Sequence, residues 1–467
     1  MSTDQSFAGY VRSLEDAGQL VTIPGRVGLR SELASCLSLL EDGPAVRFLD
    51  VEGSWLPVIG NLLASRERMA GALGVGVEDL AGRLVEAVRA PIAPVEVTDA
   101  PCQEVVTDAD LTRLPVPSFF SRETGPYLSA GVIFARDPVT GVRNASYARF
   151  KVLDATHAML GVSPAHHLGR MVAKAAEIGV ELPISVAIGN HPAVMLAACL
   201  YLGYGDDEAE CAGALLGEPL EMVASTESAI RVPAGSEMIL EGTVDPSGRI
   251  AEGPVSEFTG VYHEYGSGYV VTFTRLTRRD DPYFQVILPG LHAEHCLLGG
   301  VPIAAGLEQM LRRIAPNVAG VAVPVTGAGR TSAVVALHEP RPGQARQVIA
   351  ACWSQVPLVK QVVVVDDDVD PWNPVSVEWA RMTRVHPERD LLIAPGMRTD
   401  RSEPLQRENV VDKLGVDATK APGDRAEGWE LARLPSDGVA AARRTLAAAG
   451  IEPRVSPLLA GIRALWA

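Results

Sequence analysis

The chain has 467 residues, 47% of them hydrophobic and 21% charged, with 44 Gly and 34 Pro spread along its length. At ~100 to 200 residues per domain this is a multidomain globular protein that can bury its own core, which excludes a small stapled scaffold and a long disordered chain. A formal net charge of −16, with only 6 Trp, 9 Tyr and 9 Phe, disfavours phosphate-tracking contact with nucleic acid, which needs basic and stacking side chains.

The first 23 residues carry Asp4, Arg12, Glu15 and Asp16 among their apolar positions and lack the basic and apolar blocks of a signal peptide. Phe7, Tyr10, Val11 and Leu14 fall at helical spacing, Ala17-Gly18 ends that pattern, and Leu20-Val21-Thr22-Ile23 reads as a strand. Helices are expected over 32–40 and 78–88, and the Pro-rich stretch 90–101 marks a boundary near residue 95. The middle third reads as strands over 130–135, 148–153, 184–188, 237–240, 269–276 and 284–288, with helices over 164–178 and 209–216. The longest apolar run, 193–202, is half of the ~20 residues a membrane span needs. After residue 305 helix and strand alternate: 307–314, 318–325, 344–356 and 361–365, the pattern of a parallel α/β layer. Residues 397–428 are polar and too long for an idle loop, and an Ala-rich helix over 438–449 precedes an apolar tail. Six scattered cysteines without a CxxC pair read as reduced core thiols. A cytoplasmic location with no membrane span is the expectation.

Four constellations could carry chemistry. Glu252-Gly253-Pro254-Val255-Ser256-Glu257 sets two carboxylates around a Gly-Pro turn, where they are either solvated or turned into one cavity with a raised pKa. Asn144-Ala145-Ser146-Tyr147-Ala148-Arg149 ends on a guanidinium suited to a carboxylate or phosphate, unless Arg149 is simply a surface residue. Ser163-Pro164-Ala165-His166-His167 is expected to start a helix with Ser163 as N-cap, placing both histidines in an anion-friendly first turn. Asp206-Asp207-Glu208 precedes a short helix, where negative charge also serves the helix dipole alone. Asp366-Asp367-Asp368 ends a buried strand and reads as solvated turn acids in preference to a Mg²⁺ site. Gly327-Ala328-Gly329-Arg330 and Gly203-Tyr204-Gly205 lack the remaining residues of a P-loop or dinucleotide fingerprint.

In order and spacing these segments, with Val232-Pro233-Ala234-Gly235-Ser236-Glu237 and Lys413-Leu414-Gly415-Val416-Asp417, resemble the UbiD-like reversible decarboxylases, which use prenylated FMN. The resemblance covers nearly the whole chain. It implies a multidomain α+β and α/β fold: an N-terminal α/β region (1–95), a flavin-binding split β-barrel (96–305), a C-terminal α/β oligomerisation domain (306–440) and a helical tail (441–467). It also implies a homodimer or larger homo-oligomer. The family's Asn-x4-Arg motif falls on Asn144 and Arg149, and Asn144, His167 and Glu208 are implied ligands of Mn²⁺ bridging to the flavin phosphate, with K⁺ left open. Residues Asn144, Ala145, Ser146, Tyr147, Ala148 and Arg149, with His166, His167, Glu208 and Lys413, are implied to line the cofactor.

By the same resemblance Arg149, Glu252 and Glu257 form the catalytic set. Arg149 orients the substrate carboxylate and pairs with Glu252; Glu257, kept neutral by a dry site, gives a proton to the carbon that loses CO₂. The modified flavin forms a covalent adduct with an aromatic, heteroaromatic or α,β-unsaturated acid and takes up the electron pair. A flavin prenyltransferase is the implied supplier of the cofactor. One departure stands out: Val255-Ser256 replaces the usual Phe-Gly, which predicts either strain at Ser256 or an altered pocket at Val255. An oxidoreductase using ordinary FMN and a non-catalytic flavin carrier are the rival readings.

Overall fold

The computed structural model describes residues 4–420, 432 and 434–452. They fall into two compact units, Met1–Pro302 and Ile303–Ala467.

The first unit opens with α1 (Phe7–Asp16), whose N-cap Ser6 accepts from the Gly9 N–H and whose Phe7, Tyr10, Val11 and Leu14 are buried, as their spacing requires. Then come β1 (Leu20–Val27), α2 (Glu32–Leu39), β2 (Ala45–Val51), β3 (Val58–Gly60), α3 (Arg66–Ala72) and α4 (Leu80–Arg89). The chain continues through β4 (Val95–Glu96), β5 (Val105–Asp108), β6 (Tyr127–Leu128), β7 (Val132–Arg136), β8 (Arg143–Tyr147), β9 (Arg149–Val152) and β10 (His157–Gly161). Next are α5 (His167–Ile178), β11 (Leu182–Ile188), α6 (Pro192–Ala197), α7 (Glu208–Leu216), β12 (Glu221–Ala224) and β13 (Arg231–Pro233). The unit's last strands are β14 (Met238–Ala251), β15 (Pro254–Ser256), β16 (Tyr262–Glu264), β17 (Ser267–Arg278) and β18 (Phe284–Gln285).

An antiparallel sheet in the order β6-β9-β10-β17-β14-β11-β7-β8, with β5 beside β17, dominates this unit. Its long strands β14 and β17 run side by side with two register shifts, the irregularity that lets an antiparallel sheet bend. Phe150 and Phe273 meet edge to face at 5.6 Å inside its core. A smaller sheet, β1-β2-β3-β18, belongs to the same unit.

The boundary between the units falls within α8 (Ala293–Ile314), at Pro302. The second unit has β19 (Val318–Ala322), β20 (Ser332–Leu337), α9 (Gln344–Gln355), β21 (Gln361–Asp366), α10 (Pro374–Arg384), α11 (Pro387–Asp390), β22 (Leu391–Arg398) and β23 (Val410–Ala418). Strand order is β19-β20-β21-β23-β22, with the three inner strands parallel. Val362 and Val364 join one core cluster with α9, while Val363 and Val365 join another with α10. A strand buried on both faces explains the unbroken Val362-Val363-Val364-Val365 run.

Two expectations are corrected. Helix α5 starts at His167 with His166 as its N-cap, not at Pro164, because the His166 N–H closes a turn on the Ser163 carbonyl at 3.0 Å. Helix α8 starts well before residue 307, carrying Pro302 inside it. The polar stretch from 397, expected to be functional or flexible, holds the end of β22, a turn segment over 399–409 and all of β23, which pairs with β22. Residues 421–428 of that stretch, and 453–467 of the expected tail, lie outside the described residues; the helix Ser436–Ala448 buries none of its residues and only Leu446 is half-buried. Among the described residues no helix is long and apolar enough to cross a membrane. The six cysteines are all free thiols.

Candidate active site

Arg149 opens β9 and lies opposite Gly161 in the neighbouring strand. A Cβ on Gly161 would stand 3.1 Å from the Glu252 carboxylate and 3.2 Å from the Arg149 guanidinium carbon, so glycine leaves the space in which the two side chains meet. Arg149 donates from Nε and Nη2 to the two oxygens of Glu252 at 2.5 and 2.9 Å, a bidentate fork. Its Nη1 reaches Glu257 at 3.4 Å, and its guanidinium carbon lies 5.0 Å from the centre of the Tyr265 ring. Burial works against the Arg149 charge, but the Glu252 and Glu257 carboxylates more than restore it, so its pKa is raised.

The two glutamates differ in setting. The Glu252 side chain is 1% exposed and Glu257 13%. Between them, Gly253 takes φ +80°, and a Cβ there would meet Thr124 at 2.8 Å. The Glu252 N–H donates to Gly266 O at 3.0 Å and the Glu257 N–H to Val261 O at 3.2 Å, closing the β15–β16 hairpin. Ser256 lies in β15 and is not among the positive-φ residues, so the expected strain at Ser256 is absent; the positive φ falls on Gly253, which adopts it without a Cβ clash. Val255 is buried in the main core cluster.

A second group forms along β8. Asn144 and Ser146 stand on one side of the strand, both buried, and Asn144 Oδ1, Asn144 Nδ2 and Ser146 Oγ have no hydrogen-bond partner among the described residues. Tyr147 OH and His166 Nδ1 share that condition. Glu208, in the first turn of α7, accepts the Ala145 N–H at 2.8 Å. Burial pushes its carboxyl up to about 7. Asp207 caps the same helix by accepting from the Ala209 N–H. Burial pulls His166 down to about 4 and also lowers His167, where Arg170 acts in the same direction. The His167 ring stands edge-on to Tyr204 at 5.2 Å, and Tyr204 donates to Asp137, which also accepts from Lys174. Asn144, Ala145, Arg143 and Ile230 line a cleft of about 270 Å³.

Buried polar atoms without partners are costly, and so many along one strand fit a polar, anionic ligand. Asn144, His167 and Glu208 offer an amide oxygen, an imidazole and a carboxylate, donors that suit a fairly hard octahedral ion. Among the described residues no three His, Cys, Asp or Glu side chains converge as a metal cluster; the expected set is completed by an amide. Lys413 lies on β23 in the second unit, buried, its amine donating to Pro357 O at 2.7 Å and its pKa lowered by burial to about 8. The Asp366–Asp368 acids are taken up by Arg384, Lys420 and His338. Sequence reasoning missed Glu123, which accepts from the Phe119 and Phe120 N–H groups, and Lys151, two residues from Arg149 and therefore on its side of β9.

The chain matches three domain models of 3-octaprenyl-4-hydroxybenzoate carboxy-lyase: the N-terminal domain over residues 11–88, the Rift-related domain over 94–292 and the C-terminal domain over 296–418. The anhydromevalonate phosphate decarboxylase of Methanothermobacter thermautotrophicus is 35% identical over 396 residues, 84% of this chain and 92% of that protein. The enzyme of the same name from Methanosarcina mazei is 33% identical, covering 92% and 100%. Among solved structures, the UbiD-class enzyme HmfF from Pelotomaculum thermopropionicum in complex with FMN has a TM-score of 0.90 at 34% identity, over 94% of this chain and 99% of that one. An evolved dimeric form of HmfF in complex with prFMN has a TM-score of 0.86 at 33% identity, over 93% and 98%. The multidomain α+β and α/β fold expected from the sequence is the fold of these structures.

Proposed function

The chain belongs to the UbiD family of carboxy-lyases, and from that premise we propose that it catalyses the reversible non-oxidative decarboxylation of an aromatic, heteroaromatic or α,β-unsaturated carboxylic acid, with Glu257 as the proton donor. The observation that carries this reading is the unequal grip of Arg149 on its two glutamates. Glu252 is held by a bidentate fork in full burial and serves as the fixed anchor. Glu257, more exposed and met only at 3.4 Å, can turn toward a reacting carbon.

A guanidinium has five N–H donors. Two go to Glu252 and one to Glu257, which leaves one on each Nη for an incoming carboxylate. Arg149 thus orients the substrate through the group it will lose, and Glu257 delivers the proton that replaces CO₂ or removes it in the carboxylation direction. Prenylated FMN, when bound, supplies the electron sink for the departing carboxylate. Asn144, Ala145, Ser146, Tyr147, Ala148 and His166 would hold the flavin, and Asn144, His167 and Glu208 its Mn²⁺. Lys413 is the residue proposed from the second unit. A homodimer or larger homo-oligomer, a cytoplasmic location and a flavin prenyltransferase as cofactor source complete the reading.

The test is anaerobic co-expression with a flavin prenyltransferase, mass spectrometry and metal analysis of the released cofactor, and CO₂ release from a panel of acids. The panel holds cinnamic, hydroxybenzoic, pyrrole and indole carboxylates, and anhydromevalonate phosphate because three relatives are named for it. Prenylated FMN with CO₂ from a panel member is the expected result. Ordinary FMN turned over with an electron donor would replace this reading with an oxidoreductase, and bound flavin without any turnover would favour a carrier.

A further inference from the structure

Lys151 carries its amine into the interior beside the catalytic cluster, and among the described residues its hydrogen bonds go to no carboxylate. It is 6% exposed, and its ammonium donates to Glu252 O at 2.7 Å, Ala251 O at 2.9 Å and Thr124 Oγ1 at 3.1 Å. Three donors on a compact head thus meet three neutral acceptors, an arrangement a planar guanidinium could not reproduce. Thr124 closes the knot by donating its own hydroxyl to Glu252 O at 2.8 Å. Above the lysine stem lies Gly125, where a Cβ would stand 3.3 Å from Lys151 Cγ.

We propose that Lys151 is a positioning residue: β9 grips Glu252 twice, by its side chain through Arg149 and by its main chain through Lys151, so that residues 251–257 present Glu257 at a fixed distance from the substrate. Arg149 and Lys151 lie on one side of the strand while Phe150 packs into the core on the other, so their spacing sets the spacing of the two grips. The positive charge also stands within reach of the Glu252 carboxylate, whose field opposes the lowering of the Lys151 pKa by burial. The lysine acts through Glu252 and touches no reacting atom. The kinetic part of this inference rests on the decarboxylase reading; the structural part does not.

Lys151→Met keeps the stem and removes charge and donors. In the flavin-loaded protein, hydrogen–deuterium exchange should show the amides of Glu252 and Glu257 exchanging ~10-fold faster or more, with the rest of the sheet unchanged. Flavin content should equal that of the wild type, and kcat should fall ~10- to 100-fold, the size of a lost charge-assisted bond, while KM moves less than about threefold. Thr124→Val, which removes one arm of the knot, should shift exchange and kcat in the same direction by less, and it decides the matter if the methionine variant does not fold. Unchanged exchange at 251–257, loosening spread evenly over the sheet, or a raised KM with kcat intact would overturn the proposal. If the wild type releases no CO₂ from any acid, the decarboxylase reading fails, whereas the exchange experiment still decides the clamp.

Discussion

The Arg149–Glu252–Glu257 cluster and the β8 strand beside it are both buried and polar, but they are finished to different degrees. In the cluster each charge is met within the chain: Arg149 by two carboxylates, Glu252 by the guanidinium, and its main chain by Lys151 and Thr124. Along β8, Asn144 and Ser146 have buried side-chain atoms with no partner among the described residues, and burial pushes Glu208 toward neutrality. A group that must hold one geometry while a substrate reacts gains from being locked in advance. A surface that receives a polar cofactor keeps its donors for that cofactor, at a cost in desolvation.

That contrast predicts opposite consequences for mutation on the two sides. Arg149→Met should have the largest effect, because it leaves a fully buried Glu252 unpaired: ~3 to 5 kcal/mol of stability should be lost together with turnover, read by chemical denaturation and CO₂ release. Glu294 is a useful control, a buried acid with no arginine fork, its Oε1 accepting from Leu63 N–H at 2.8 Å with the Asn61 and Leu62 N–H groups close by. Burial raises it from 4.5 to about 7, so the folded state favours its neutral form. The stability this group contributes is complete below about pH 4.5 and is lost as pH rises to 7. Glu294→Gln should therefore gain on the wild type by about 3 kcal/mol across that window and level off above it, in denaturation measured from pH 5 to 8.

Asn144→Ala should leave stability within ~1 kcal/mol of wild type, since the side chain makes no hydrogen bond to the described residues. Its flavin retention on dilution should fall ~10- to 100-fold, the value of a hydrogen bond to a charged ligand. The smallest effect belongs to Ser256→Gly. Because Ser256 is extended and not at positive φ, the family-like glycine relieves nothing and should cost up to ~1 kcal/mol through backbone entropy.

What could be read from the chain was local. The strand at 149–152, the apolar run of β21 and the acids around Gly253-Pro254 follow from short-range pattern, and motif order carried the family. Arg149 meets Glu252 only because β9, β10, β17 and β14 lie side by side in the sheet, a pairing that no spacing encodes. Lys151 was invisible because a lysine is ordinarily a surface residue, although its two-residue offset from Arg149 was a usable signal. Strand β23 was missed because Asp412, Lys413 and Asp417 give it a polar look; it forms because it pairs with β21 and β22. Helix α8 was started too late because Gly299-Gly300 and Pro302 suggest a break that the helix instead accommodates.

The most direct measurement is Glu257→Gln in protein co-expressed with a flavin prenyltransferase, with cofactor content and CO₂ release followed on the same sample. The account predicts wild-type flavin content and turnover reduced ~10²- to 10⁴-fold, the contribution of a positioned general acid. Turnover within tenfold of the wild type, with flavin still bound, would contradict it.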